Sequence, residues 1–268
     1  MSTARTALTY VVPEEWLERP IRVLLAGVGG TGGEVLDGLA RLHTALVAVG
    51  HPHGLSVEVL DGDTVSTANI GRQRFAPCDV GQNKAATLVS RYNLFFGLAW
   101  RGLPLHLTDY DEYLTDQDIV ITCVDVARVR ADIGRWGREH SHGWRTETLW
   151  LDFGNGRTTG QVVLGHLHEV ARRSVRLANV YDLYQELDQI TGDEDGPSCS
   201  MAAALREQDL FVNKWASLGV GLLWRLLSRG TLDRHGFYFD ADRLTVAPLM
   251  IAPEVWAFMG YTGREAAA

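Results

Sequence analysis

The sequence predicts an α/β fold: a doubly wound, Rossmann-like, mostly parallel sheet with a C-terminal helical and hairpin appendage. Three observations carry that reading. A short apolar run, IRVLLA at 21–26, ends on the glycine-rich turn GVGGTGG. Strand-like runs then alternate with stretches of helical periodicity as far as residue 152, the pattern of parallel strands covered on both faces by helices. And 268 residues, 46% hydrophobic and 22% charged, are enough for one large core without staples.

In chain order, Ile21 to Ala26 reads as a strand and the glycines as a tight turn. Glu34 to Leu46 then places Val35, Leu36, Leu39, Ala40 and Leu42 at helical spacing. Leu55 to Leu60 is a second strand ending at Asp61, and GQNKAATLVSRYNLFF is a helix opened by a turn at Gly81. Further strands are expected at Leu103 to Leu107, Ile119 to Val124 and Thr148 to Asp152, with a helix after Asp125. From Gly160 the pattern changes: QVVLGHL reads as a strand, Val180 to Ile190 as a helix, TGDEDGPS as a polar loop, 200–227 as largely helical, and GFYFD with LTVAPL as a terminal hairpin. This divides the chain into a core, 1–160, and a C-terminal part, 161–268, that has too few apolar elements to stand alone and completes the sheet.

Composition excludes several classes. Cys78, Cys123 and Cys199 are odd in number and form no Cys-x-x-Cys pair, so neither a disulfide framework nor a four-sulfur zinc site is expected, and a reducing cytoplasm suits them. The start MSTARTALTYVVPEEWLERP does not read as a leader, and no run reaches the roughly 20 apolar residues of a membrane span. A formal charge of -8 argues against broad attraction to nucleic acid or anionic membrane and leaves small molecules and proteins as partners.

The turn Gly27-Val28-Gly29-Gly30-Thr31-Gly32 matches G-x-G-x-x-G between strand and helix, where absent side chains let backbone amides approach phosphate oxygens. Alone it suits NAD as readily as ATP, or mere close packing. Asp61 follows the second strand where a ribose-binding carboxylate is expected; its structural alternative is a cap. The stretch DGDTVSTANIGRQRFAPCDVGQNKA then places Asp61, Asp63, Asn69, Arg72, Gln73, Arg74 and Lys84 beyond one strand. Hydride transfer needs no cations clustered beside a pyrophosphate turn, whereas attack of a carboxylate on an α-phosphate needs them to stabilise developing charge. Chemistry at phosphorus is favoured, a solvated charged loop being the plain alternative for any single residue.

Four motifs in register, GVGGTG, LDGDTVSTANIGRQ, GQNKA and DIVITCVDVARVR, resemble the ThiF/MoeB-like adenylating family, to which the ubiquitin-activating enzymes belong; the likeness runs from about Ile21 to Arg130. Within it, PSCSMAAALREQDLFVN and the helical stretch that follows are similar to the ThiF-family proteins of the bacterial PRTRC system. The resemblance implies that Gly27, Gly29, Gly30 and Gly32 receive ATP, Asp61 holds the ribose with Asp63 beside it, Asn69, Arg72 and Lys84 contact phosphates, and Gln73 supports the loop. Asp125 matches a magnesium-linked aspartate, with an N-cap as its structural alternative. It further implies a homodimer and a ubiquitin-like or sulfur-carrier-like protein partner.

Cys199 lies in a polar loop before an expected helix, similar in position to the cysteine that accepts the activated partner in ubiquitin-activating relatives, although Asp193, Glu194 and Asp195 oppose a thiolate there. Arg128 and Arg130 read as ion-pair or surface residues, His51 and His53 as a polar loop, and Cys123 as core. The zinc-binding Cys-x-x-Cys pairs of many relatives are absent, so no zinc is expected. Arg19 and Arg22 precede the first strand, and neither matches the arginine that relatives borrow from a neighbouring subunit. The expected function is ATP-dependent adenylation of a partner's C-terminal glycine carboxylate, with possible transfer to Cys199. The alternatives are an NAD-dependent oxidoreductase and a non-catalytic scaffold of the same fold.

Overall fold

The computed structural model describes residues 8–140, 147–170, 175–189 and 208–262; Cys199 lies outside them. Ten strands occur among these residues: β1 Tyr10–Val11, β2 Ile21–Ala26, β3 Leu55–Leu60, β4 Arg101–Leu103, β5 Ile119–Thr122, β6 Leu149–Asn155, β7 Thr159–His166, β8 Thr231–Leu232, β9 Arg234–Asp240 and β10 Thr245–Met250. The helices are α1 Gly30–Ala48, α2 Lys84–Phe96, α3 Tyr110–Leu114, α4 Ala127–Glu139, α5 Val180–Leu183, α6 Val212–Ser217, α7 Val220–Arg229 and α8 Pro253–Phe258.

Eight strands form one sheet in the order β10-β9-β7-β6-β5-β2-β3-β4, while β1 and β8 pair separately. The five strands from β6 to β4 run parallel, and β7, β9 and β10 extend the sheet antiparallel. This is the α/β, Rossmann-like sheet that the alternating pattern predicts. The strand Ile21–Ala26 is buried along nearly its whole length, as a two-sided central strand requires, and Val35, Leu36 and Leu39 of α1 cover it at zero exposure. Each such side chain contributes about 1.5–3 kcal/mol by leaving water. No helix among the described residues is long and apolar enough to cross a membrane.

The register is what builds a site. Ala26 pairs with Leu60 on one side and Thr122 on the other, so Gly27, Asp61 and Cys123 emerge side by side where three parallel strands end. With β3 on one flank of β2 and β5 on the other, the chain reverses its winding at this point, where open α/β sheets bind ligands.

Several boundaries differ from expectation, each for a local reason. The strand expected at 103–107 is displaced to 101–103, because Pro104 has no amide to donate to a ladder and Leu105 turns its amide onto the Leu103 carbonyl. The helix expected over 180–190 is α5 followed by a 3-10 turn at Gln185–Gln189, the break falling at Tyr184. In the expected helical stretch 200–227, residues 200–207 lie outside the described set, and the rest divides at Gly219 into α6 and α7. A Cβ at Gly219 would sit 2.5 Å from Val162 Cγ1, so its absence lets this segment rest directly on the sheet. The ladder between β7 and β6 runs unbroken from Asn155–Gly160 to Leu149–His166, so the C-terminal part continues the sheet.

Candidate functional site

A cleft of about 390 Å³ opens where β2, β3 and β5 end. Its lining brings together Gly27, Gly29, Gly30, Asp61, Asp63, Arg72, Gln73, Lys84 and Asp125, all named from the sequence. Gly27 has φ of +87°, favourable only to glycine, and a Cβ there would lie 2.7 Å from the Cys123 carbonyl oxygen. Gly32 is outside the lining: its ideal Cβ would fall 1.9 Å from the Gly27 carbonyl oxygen, so its bareness lets α1 begin directly against the turn. The 19-residue α1 has no acidic residue in its first turn, leaving the amides a helix cannot satisfy internally free of a competing carboxylate.

Asp61 is 8% exposed, and its two carboxylate oxygens accept from Val28 N at 2.7 Å and Asp63 N at 2.9 Å. Burial raises its pKa; those two amides and the charge of Lys84 pull the other way. The carboxylate therefore ties the end of β3 to the glycine turn as well as facing the cleft. Lys84 opens α2 behind the N-cap Asn83 and reaches Asp63 Oδ2 at 2.7 Å. Its side chain is 10% exposed, against 56% for Asp63.

Arg72 and Gln73 each present an unsatisfied polar atom. Arg72 Nε and Gln73 Oε1 are buried without a hydrogen-bond partner among the described residues, the usual mark of a site completed by a ligand or water. Asn69 is not in the lining. Its Oδ1 accepts from Ser66 N at 2.8 Å and Ser66 Oγ at 3.1 Å, and its carbonyl accepts from Gln73 N at 2.9 Å, so it shapes the segment that carries Arg72 and Gln73. Arg74 is turned away onto Glu34 and Asp37 of α1.

Asp125 is exposed, lines the cleft and makes no hydrogen bond or ion pair among the described residues; the N-cap position of α4 belongs to Val126 instead. Beyond it Arg130 grips the fully buried Asp152 through Nε at 2.8 and 3.0 Å and donates to the Phe153 carbonyl, while Thr122 donates to the same carboxylate. Arg128 is a half-exposed partner of Asp132. Cys123 is partly buried and lines the cleft, and burial, with Asp152 and Asp125 nearby, pushes its thiol well above the usual range, which favours the protonated form.

Other candidates are placed elsewhere. Arg19 makes a bidentate contact with Asp118 at 2.6 and 2.7 Å, joined by Arg22, before the starts of β2 and β5 and therefore at the end of the sheet opposite the cleft. His51 donates from Nε2 to the Trp16 carbonyl and accepts Gly54 N at Nδ1, which fixes a loop. Among the described residues no group of three or more His, Cys, Asp or Glu side chains could hold a metal by itself.

Among the lining residues that sequence reasoning gave no role are His106, Thr108, Gln208 and Asn213. Asn213 is 4% exposed on α6, and its Oδ1 accepts from Thr31 Oγ1 at 2.7 Å and from Asn155 Nδ2 at 3.2 Å. One signal was available. Asn155 ends the run LWLDFGN, so it follows a strand on the edge where ligands sit, and Asn213 interrupts an otherwise apolar helical face.

The model of the ThiF family matches residues 14–183, more than half of the chain. No curated protein matches the sequence. Among solved structures, the chain is similar to PaaA (TM-score 0.58, 14% identity, covering 86% of this chain and 64% of that one). It is also similar to Escherichia coli MccB solved with ATP (TM-score 0.57, 15% identity, 89% and 65% covered). MccB, described as a microcin C7 biosynthetic enzyme, solved with N-formylated MccA gives a TM-score of 0.54 at 16% identity, with 87% and 65% covered. These identities speak for the fold, and the chain spans less than two thirds of the PaaA and MccB chains.

Proposed function

The chain belongs to the ThiF family, and from that premise we propose that it adenylates a carboxylate: it binds ATP in the cleft and joins AMP to the C-terminal glycine of a ubiquitin-like or sulfur-carrier-like protein. The observation that supports this most is the convergence of Arg72 and Lys84 on one cleft with the glycine turn, Asp61 and Asp125. MccB was solved with ATP, which supports the choice of nucleotide, and with MccA, which supports a macromolecular acyl donor.

In this reaction a carboxylate oxygen attacks the α-phosphorus, the bond to the bridging oxygen of the β-phosphate breaks, and pyrophosphate leaves with the electron pair. Asp61 holds the ribose, the amides of the turn and α1 take phosphate oxygens, and Arg72 and Lys84 offset the charge that builds at phosphorus. Gly27, Gly29 and Gly30 line the cleft with backbone alone, which fits close approach of a phosphate chain, and the unsatisfied Arg72 Nε fits an anion. Magnesium, when bound, supplies charge neutralisation on the phosphates; Asp125, unengaged and facing the cleft, is the carboxylate that would hold it, the other ligands being phosphate and water. Transfer of the acyl group to Cys199, assembly as a homodimer and action in a reducing cytoplasm complete the proposal.

The test is titration with ATP and with NAD, followed by mass spectrometry after incubation with ATP and candidate ubiquitin-like proteins. ATP binding and a partner heavier by one AMP are expected, with Asp125→Ala abolishing the adduct. Binding of NAD without ATP rejects the proposal, and normal adenylate in Asp125→Ala rejects the metal role.

A further inference from the structure

Building on the nucleotide reading above, we propose that Gln208 and Asn213, brought in by the C-terminal part of the chain, contact the β- and γ-phosphate end of the nucleotide and set a preference for ATP over AMP. The glycine turn gives the cleft a direction. Val28 N is bonded to Asp61, which marks the ribose end of the cleft. Two residues on, the ideal Cβ of Gly30 would lie 2.5 Å from Asn213 Nδ2, and Thr31 Oγ1 donates to Asn213 Oδ1 at 2.7 Å. A nucleotide whose ribose rests on Asp61 and whose phosphates follow the amides therefore points its far end at Asn213.

Gln208 stands beside it. Its Oε1 accepts from Asn213 Nδ2 and from Arg72 Nη1, each at 3.4 Å, long bonds that a phosphate oxygen can displace. Its Nε2 makes no hydrogen bond among the described residues, so two N–H donors are uncommitted in a cleft where Arg72 Nε also lacks a partner. The side chains lining this end, Thr31, Arg72, Gln73, Gln208 and Asn213, include no carboxylate; those of the cleft are Asp61, Asp63 and Asp125. Neutral amide donors beside one guanidinium make a seat for phosphate oxygens, and only a nucleotide with phosphates beyond the first reaches it.

The experiment compares calorimetric affinities for ATP and AMP, with magnesium present, in the wild type, Gln208→Ala, Gln208→Glu and Asn213→Ala. Wild type is expected to prefer ATP. A hydrogen bond to a charged group contributes about 1.5–3 kcal/mol, so Gln208→Ala should lose roughly 10- to 100-fold in ATP affinity with AMP affinity unchanged. Gln208→Glu, the same shape with a negative charge, should lose more for ATP and little for AMP. Should Asn213→Ala fail to fold, the two Gln208 variants decide. Equal wild-type affinities, equal losses for ATP and AMP, or no loss in either Gln208 variant overturn the inference and leave the nucleotide reading intact. A wild type that binds neither nucleotide overturns both.

Discussion

The contact that seats α1 against the turn can be probed with one methyl group. In Gly32→Ala the new Cβ would fall 1.9 Å from the Gly27 carbonyl oxygen, 2.7 Å from its carbon and 3.2 Å from Cys123 Cβ. The first two are backbone atoms and cannot swing aside, so turn and helix must separate. Overpacking of this kind costs about 1–3 kcal/mol, partly offset by the gain of up to about 1 kcal/mol from replacing glycine within a helix. A net loss of about 1–2 kcal/mol, at about 2–4 °C per kcal/mol for a chain of this size, lowers the melting temperature by about 2–8 °C. The same displacement moves the amides that face the cleft, so ATP affinity should fall by more than the roughly tenfold that 1.4 kcal/mol represents. Gly221→Ala on α7 is the control: nothing lies within 4 Å of its Cβ position, so it should be neutral or stabilising and bind ATP normally. A Gly32→Ala protein that melts and binds ATP like the wild type refutes the reasoning.

Three further outcomes follow from the same structure. Lys84→Ala frees an Asp63 side chain that is already 56% exposed, so the melting temperature should hold within a few degrees while ATP affinity, measured by titration, drops about tenfold or more. Arg130→Leu strands Asp152 at zero exposure and should cost about 3–5 kcal/mol by denaturant unfolding, with Arg130→Leu/Asp152→Asn recovering part of the loss. His235 donates to the Leu164 carbonyl, accepts from Trp256 Nε1 and is held neutral by burial, its pKa pushed down to about 4 from 6.5. The unfolded chain therefore takes up this proton first as pH falls: the contribution is intact above pH 6.5 and is lost between there and about pH 4, at about 1.4 kcal/mol per unit. Denaturant midpoints across that window should show a shallower slope in His235→Asn.

What was legible in the sequence was local. Strand, glycine turn and helix lie within some thirty residues, as do Asp61, Asp63, Arg72, Gln73 and Lys84, so periodicity and motif spacing place them on one edge before any coordinates are known. Asn69 illustrates the limit of a motif: its position was legible, but residue type alone does not reveal that its Oδ1 accepts from Ser66 N and Oγ and so shapes the local backbone. Pro104 could have corrected the strand at 103–107, since a residue without an amide does not belong in a ladder. Gln208 was illegible, and Asn213 legible only as a polar break in an apolar helical face, because nothing near either in the chain speaks of phosphate. They join the site through packing of α6 on α1 and β6, a tertiary fact.

The bond from Thr31 to Asn213 spans 182 positions. During synthesis a nascent chain emerged only through β6 already owns the glycine turn, both cationic side chains and Asp125, yet lacks the wall that α6 brings. On the proposed function, ATP is then a ligand of a chain that extends through α6, and its binding would favour such molecules over shorter ribosome-bound fragments. Emergence of α6, more than formation of the Rossmann-like half, sets the moment at which the cleft is first complete.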